Sequence, residues 1–160
     1  MERTISGMMG KGSVNHNTRA FSAKNVDKER SRDNVEFCHE DIKAVYHELF
    51  DEALERYNAK QKRSDRKIEN YYEKIRQGKQ EKLFYEVIFQ IGNRDDMNAR
   101  SEGGQLAKQI LIDFMTDFQS RNPNLHVFSA HLHMDEETPH IHILFRSLPE
   151  VSEDLIQGFR

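Results

Sequence analysis

With 160 residues, of which 36% are hydrophobic and 32% charged, the chain can afford one modest core with much solvated helix around it. Its one cysteine, Cys38, excludes a disulfide framework and any thiolate-rich zinc site, and fits a reducing, cytoplasmic setting. No apolar run approaches the roughly 20 residues of a membrane span, and the N-terminus lacks the apolar stretch of a secretory signal. The formal net charge of -3 argues against a nucleic-acid protein. The distribution argues otherwise: residues 1–33 hold seven Lys or Arg against four acids, and residues 56–82 hold ten against four. Such asymmetry can make a local positive face, although a solvated surface helix has the same composition.

In chain order, residues 1–33 form a polar N-terminal segment with a short strand around Arg3–Met8, followed by a loop from Gly10 to Arg19. Ile42, Val45, Tyr46, Leu49, Phe50, Ala53, Leu54 and Tyr57 recur at spacings of three and four, which predicts a helix. A polar break at Lys60–Ser64 precedes a second helix, Asp65 to Arg76, with Gly78 as its C-cap. Leu83 to Ile91 is rich in aromatic and β-branched residues and reads as a central strand. Gly103-Gly104 opens a helix through Leu106, Ile110, Leu111, Phe114, Met115 and Phe118 that closes near Asn122-Pro123. Leu125–Met134 and Pro139–Phe145 read as two strands of a hairpin linked by Asp135–Thr138. The layout predicts an α+β domain over residues 1–160, a small antiparallel sheet flanked by helices. A helical pattern from Val151 is cut off at Arg160, so the chain reads as the N-terminal part of a longer protein.

The chemistry concentrates between residues 131 and 142. Alternate strand residues share a face, so His140, His142 and Leu144 point one way while Ile141, Ile143 and Phe145 point into a core. A tight hairpin brings His133 beside His140 and His142, with Glu136 or Asp135 in the turn. Three neutral imidazoles with an open position suit Mn²⁺, Co²⁺, Ni²⁺ or Zn²⁺. Surface histidines on a solvated sheet are the alternative. His131 belongs to the outer surroundings of the site or to the surface. The zinc-protease helix spacing is absent, and so are the cysteines of a zinc deaminase.

The segment His133-Met-Asp-Glu-Glu-Thr-Pro-His140-Ile-His142 resembles the third motif of the Mob/Pre (MobV) plasmid mobilisation relaxases, which are HUH endonucleases. His16-Asn17-Thr18-Arg19 resembles their first motif. The resemblance implies an HUH-type antiparallel sheet and a bacterial cytoplasmic enzyme. Such an enzyme nicks one DNA strand at a plasmid origin of transfer and stays joined to the 5′ end, for mobilisation or recombination. DNA is the implied partner, with the conjugation coupling machinery behind it. The implied cofactor is a divalent ion, Mn²⁺ foremost, with Mg²⁺, Co²⁺, Ni²⁺ or Zn²⁺ as alternatives. By residue match, His133, His140 and His142 would be ligands and His16 the covalent nucleophile. Glu136 would be an acid/base or ligand-supporting group, and Arg19 would hold phosphate or orient His16. Arg63 and Arg66, heading the second helix, correspond to an arginine pair of the family and would meet phosphates. Lys67 would join them, and Lys11 would gain order on binding DNA. An exposed helix start explains Arg63, Arg66 and Lys67 equally well.

Two alternatives stand beside this reading. An HUH replication initiator or transposase would attack with tyrosine, and Tyr71-Tyr72 is the available pair. A non-enzymatic DNA-binding regulator would use the metal structurally. Structural zinc sites are usually closed by four protein ligands and often include cysteine.

Overall fold

The structure, a computed structural model, describes residues 3–148. The described residues divide into two compact units, one of residues 3–39 with 84–146 and the other containing residues 40–83. The helix expected from Val151 lies outside the described residues.

The first unit is built on five strands: β1 (Ile5–Gly10), β2 (Val35–His39), β3 (Tyr85–Ile91), β4 (Leu125–His133) and β5 (His140–Ser147). They form one antiparallel sheet in the order β1-β3-β5-β4-β2. The two strands expected to carry the histidines are thus neighbours, with β5 at the centre. Alternation along β5 decides what each face does. Ile141 and Ile143 are fully buried in the core, which also holds Ile91, Leu132 and Met134. Helix α4 (Glu102–Thr116) supplies Ala107, Leu111 and Met115 to that core, and α5 (Phe118–Arg121) supplies Phe118. His140 and His142 take the opposite face.

Three features of this unit differ from the sequence expectation. The stretch from Gly10 to Arg19 contains a turn of helix, α1 (Val14–Asn17), capped by the Ser13 side chain accepting from the His16 backbone N–H. Strand β2 was not anticipated. A bulge between Glu36 and Cys38 breaks its alternation, and Phe37 and Cys38 both pack against the core, so no period of two is visible. The polar loop that follows α1 is tied to residues 134 and 135 by hydrogen bonds. The backbone N–H of Asp27 donates to the Asp135 carbonyl at 2.7 Å, and Arg30 Nη1 donates to the Met134 carbonyl at 2.7 Å.

The second unit contains α2 (Ile42–Ala59) and α3 (Tyr71–Gln77), each capped at its N-terminus by a side chain, Asp41 and Asn70 respectively. Tyr46, Phe50, Ala53, Leu54, Ile68, Tyr71 and Ile75 form its core. The helix expected from Asp65 begins only at Tyr71. Ser64–Arg66 is a short 3₁₀ turn, and the chain is then held extended because Asn58 clamps Ile68, donating to its carbonyl at 2.7 Å and accepting from its N–H at 2.8 Å. That long-range clamp competes with helical hydrogen bonding and is invisible in a local pattern. Among the described residues no helix is long and apolar enough to cross a membrane.

Gly104, in the first turn of α4, is where the helix meets the preceding loop. A Cβ there would strike the Asn98 carbonyl oxygen and lie 2.8 Å from the Ala99 Cα, both backbone atoms that cannot swing aside. Helix propensity alone would make Gly104→Ala stabilising by up to about 1 kcal/mol. The collision reverses that sign, and a net loss of about 1–3 kcal/mol is expected in urea unfolding. A gain in stability would show that the helix docks with more room than this.

A histidine-lined candidate metal centre

The site face is assembled from β4, β5 and the α1 turn. His133 is fully buried, and His140 and His142 are each 7% exposed. One ring nitrogen from each of the three lies within 4.8 Å of the others. Their other nitrogens are occupied, and this fixes the tautomers. The Nε2–H of His133 donates to the Asn17 carbonyl at 2.8 Å. The Nδ1–H of His140 donates to the Thr138 carbonyl at 2.7 Å, and that of His142 to Glu86 Oε2 at 3.1 Å. The remaining lone pairs sit on His133 Nδ1, His140 Nε2 and His142 Nε2. The first and last are buried with no hydrogen-bond partner. Buried polar atoms left without partners are rare, and here two converge with a third imidazole. This donor set fits a divalent cation, with each imidazole oriented through the nitrogen it would not use for coordination.

Electrostatics keep His133 and His140 in the neutral form that a ligand needs. Burial pushes His133 down to about 2, with the Arg19 guanidinium and the other imidazoles adding to the effect. Burial likewise lowers His140, as does the neighbouring His142. Glu86 is a buried acid on β3. Burial would raise its pKa, but hydrogen bonds from His142 and from Asn17 Nδ2 (2.7 Å) outweigh this and hold it below the usual carboxylate range. A Cβ on Gly10 would strike the Glu86 carboxylate, so glycine at that position on β1 makes room for it.

The first-motif residues meet the metal loop 134–139 at this face. The His16 ring centroid lies 5.9 Å from that of His142 and 6.1 Å from that of His133. His16 Nε2 is 3.7 Å from Glu136 Oε1, and Glu136 Oε2 is 3.4 Å from His140 Nε2, so Glu136 stands between the two imidazoles. Arg19 has a left-handed backbone (φ 61°), which turns the chain so that its side chain folds back. Its Nε and Nη2 donate to the two Asp135 oxygens at 2.9 and 2.6 Å, its Nη2 also reaches Glu136 at 3.0 Å, and its Nη1 donates to the His16 carbonyl at 2.9 Å. Arg19 is thereby committed to carboxylates and to the shape of the His16 turn. Asp135, fully buried, also accepts from Ser31 and Asn34, each at 2.7 Å. Burial would raise its pKa, but these donors hold it well below the carboxylate range. With its oxygens so engaged it braces the loop, and the three histidines offer the less encumbered donor set.

Asn17, Glu86, Ser31 and Asn34 were not singled out in the sequence. Asn17 had a signal as the second residue of the His16-Asn17-Thr18-Arg19 motif, although no role was given to it; the fold buries it to 2% exposure. Glu86 had one too, as an acid inside an otherwise apolar strand. Ser31 and Asn34 had none. His131 pairs with Glu36 at 3.0 Å and with Ser129 at 3.3 Å, away from the three lone pairs. Lys11 is exposed between β1 and α1. In the second unit, Arg63, Arg66 and Lys67 are exposed around the 3₁₀ turn, and Arg63 forms a two-pronged pair with Asp65 at 3.0 and 2.6 Å. Tyr71 is 6% exposed in that unit's core, and Tyr72 packs edge-on against Tyr46.

Residues 9–154 match the Mob_Pre family, described as plasmid recombination enzyme. Among solved structures, the MobM relaxase domain (MOBV; Mob_Pre), bound to plasmid pMV158 oriT DNA and Mn at pH 5.5, superposes with a TM-score of 0.52. It shares 22% identity over 94% of this chain and 74% of that chain. Its crystal structure at pH 4.6 gives a TM-score of 0.51 at 23% identity, over 95% of this chain and 76% of that one. These likenesses are of fold. No curated protein matches the chain significantly.

Two outcomes follow from the buried charges. Unfolded histidines titrate near 6.5, whereas His133, His140 and His16 are depressed in the fold. Below about 6.5 the unfolded chain therefore binds protons that the native state refuses, and stability falls as pH falls. Metal-free protein is expected to lose roughly 2 kcal/mol from His133 alone between pH 7 and pH 5, before Asp135 begins to titrate. Urea melts in EDTA at the two pH values measure this, and equal midpoints would contradict it. Asp135→Ala leaves Arg19 buried and half-paired, and a loss of about 3–5 kcal/mol is expected by the same method.

Proposed function

This chain belongs to the Mob_Pre family of plasmid recombination enzymes, and we propose that within it the chain acts as a metal-dependent relaxase. In this reading it nicks one strand at a plasmid origin of transfer and holds the 5′ phosphate covalently on His16. The observation that carries the reading is the convergence of three buried imidazole lone pairs beneath the His16 ring. The ion bound by the MobM relaxase domain is Mn, and the same donor set accepts Co²⁺, Ni²⁺, Zn²⁺ or, less tightly, Mg²⁺. When bound, such an ion offsets the negative charge of the phosphate oxygens and polarises phosphorus.

The chain's own residues supply the rest. Burial and the Arg19 guanidinium lower the His16 pKa, so the ring is neutral and carries an available lone pair. Attack on phosphorus forms a P–N bond and breaks the P–O3′ bond. The electron pair leaves on the 3′ oxygen, which takes up a proton. Glu136, beside His16, accepts the proton that the imidazolium then sheds. One bond is exchanged for another of similar energy, so the step can reverse and rejoin the strand. Arg19 and Asp135 position His16 and do not contact phosphate. Lys11 in the first unit offers a phosphate contact, and Arg63, Arg66 and Lys67 in the second unit offer phosphate contacts of their own. Cytoplasmic action on plasmid DNA belongs to the same proposal. A structural metal in a DNA-binding regulator fits less well, because three imidazoles leave the coordination shell open.

His140→Ala and His142→Ala are each expected to lose most Mn²⁺ binding by calorimetry and all nicking, with circular dichroism unchanged. Retained binding in both variants would sink the ligand assignment. His16→Ala is expected to bind Mn²⁺ and oligonucleotide but to form no covalent adduct. The wild-type adduct is expected to be lost in mild acid, because protonation labilises a P–N bond, whereas a tyrosine ester would survive. Arg63→Ala with Arg66→Ala is expected to flatten the dependence of log affinity on log salt by between one and two units, since each lost phosphate contact releases fewer counterions. An unchanged slope would make these arginines ordinary surface charges.

A further inference from the structure

The sheet face that carries the histidines continues past them. In the register, Met8 of β1 lies opposite Ile88 of β3, which lies opposite His142 of β5. Two residues along, Ser6, Gln90 and His140 form the parallel row. Opposed residues in antiparallel strands share a face, and strands are about 4.8 Å apart, so each row runs about 10 Å from β5 to the edge strand. The result is a two-lane strip that begins on two imidazoles of the metal centre. One lane is apolar, Ile88 then Met8, and the other polar, Gln90 then Ser6.

This strip forms part of the lining of an open cleft of about 550 Å³ that also contains His16. Met8 is 65% exposed, an unusual placement for a long apolar side chain beside a polar centre. Gln90 Nε2 donates to the Gly92 carbonyl at 2.9 Å, which fixes the plane of its amide. Asn25, from the loop after α1, brings a second amide to the cleft. Among the described residues no lysine or arginine lines the cleft, and Glu137 adds negative charge to its lining. Away from the histidines, the strip offers a phosphate no cation and suits a flat, apolar-faced group with hydrogen-bonding edges.

We propose that the strip seats a nucleobase adjoining the scissile phosphate, with Met8 and Ile88 against its face and the Gln90 amide at its edge. The inference rests on the relaxase reading and extends it to the choice of nick site. A phosphate held at the histidines places the base of its own or the next nucleotide within reach of the strip. A polarisable thioether makes favourable contact with an aromatic ring, and face contact of this kind tolerates different bases until an amide reads the edge.

The test uses a labelled single-stranded oligonucleotide carrying the origin of transfer, in Mn²⁺. Single abasic sites are placed at each of the two nucleotides on either side of the cut. Wild-type protein is expected to lose about five- to tenfold in cleavage efficiency at one of these positions, mostly through KM. Met8→Ala is expected to lose a similar factor on intact DNA and to show little further loss at that abasic position, because the two changes remove the same contact. Gln90→Leu is expected to relax base preference at that position while Mn²⁺ affinity stays at the wild-type value. Additive losses for Met8→Ala and every abasic site, with unchanged preference in Gln90→Leu, would overturn the base platform alone. Failure of wild-type protein to cut any origin oligonucleotide would overturn the relaxase reading itself, and this inference with it.

Discussion

The centre depends on one ion pair, Arg19 with Asp135. Both groups are withdrawn from water, and both prongs of the guanidinium meet the carboxylate. A charge so buried is costly to strand, so the pair forces the α1 turn and the 134–139 loop into a fixed relation. From that relation the rest follows. His16 is set above the imidazoles, Glu136 is drawn between His16 and His140, and the Asn17 carbonyl reaches His133. Ser31 and Asn34 complete the Asp135 shell, so the polar segment between α1 and β2 is ordered by the same carboxylate.

The two sides of β5 have different physics. On one side Ile141 and Ile143 lock the strand to α4 through close packing, which resists displacement. On the other side His140 and His142 inherit that rigidity and pack mainly against one another and His133. Their ring orientations are then set by Thr138 and Glu86. A site on strands with its second nitrogens already bonded is pre-organised for a cation, and only His16 stands on a short element held by polar contacts.

Much of this was legible in the sequence because the relevant signals are local. Alternation through His140-Ile141-His142-Ile143 reveals both the strand and its two faces, and the short link to His133 places the third imidazole. What was hidden depends on distant partners. β2 carries a bulge that erases its period, the approach to α3 is straightened by Asn58, and the order of the loop after α1 comes from residues about a hundred positions away. The role of Arg19 was open between phosphate and His16, and the geometry supplies a third function, a brace to Asp135. Glu86 was visible only as an oddity, a charge in an apolar strand, and its meaning required the register that sets it beside His142.

The contacts that complete the centre span almost the whole chain, with Arg19 and Asp135 separated by 116 positions. Contacts so distant form late, because a long loop must close before they are rewarded. On the ribosome, the segment bearing His16 emerges first and β5 long afterwards. A nascent or prematurely terminated chain therefore displays the His16 turn without the imidazoles of β5. The topology therefore makes the histidine centre a property of the nearly finished chain, since no shorter N-terminal piece contains β5.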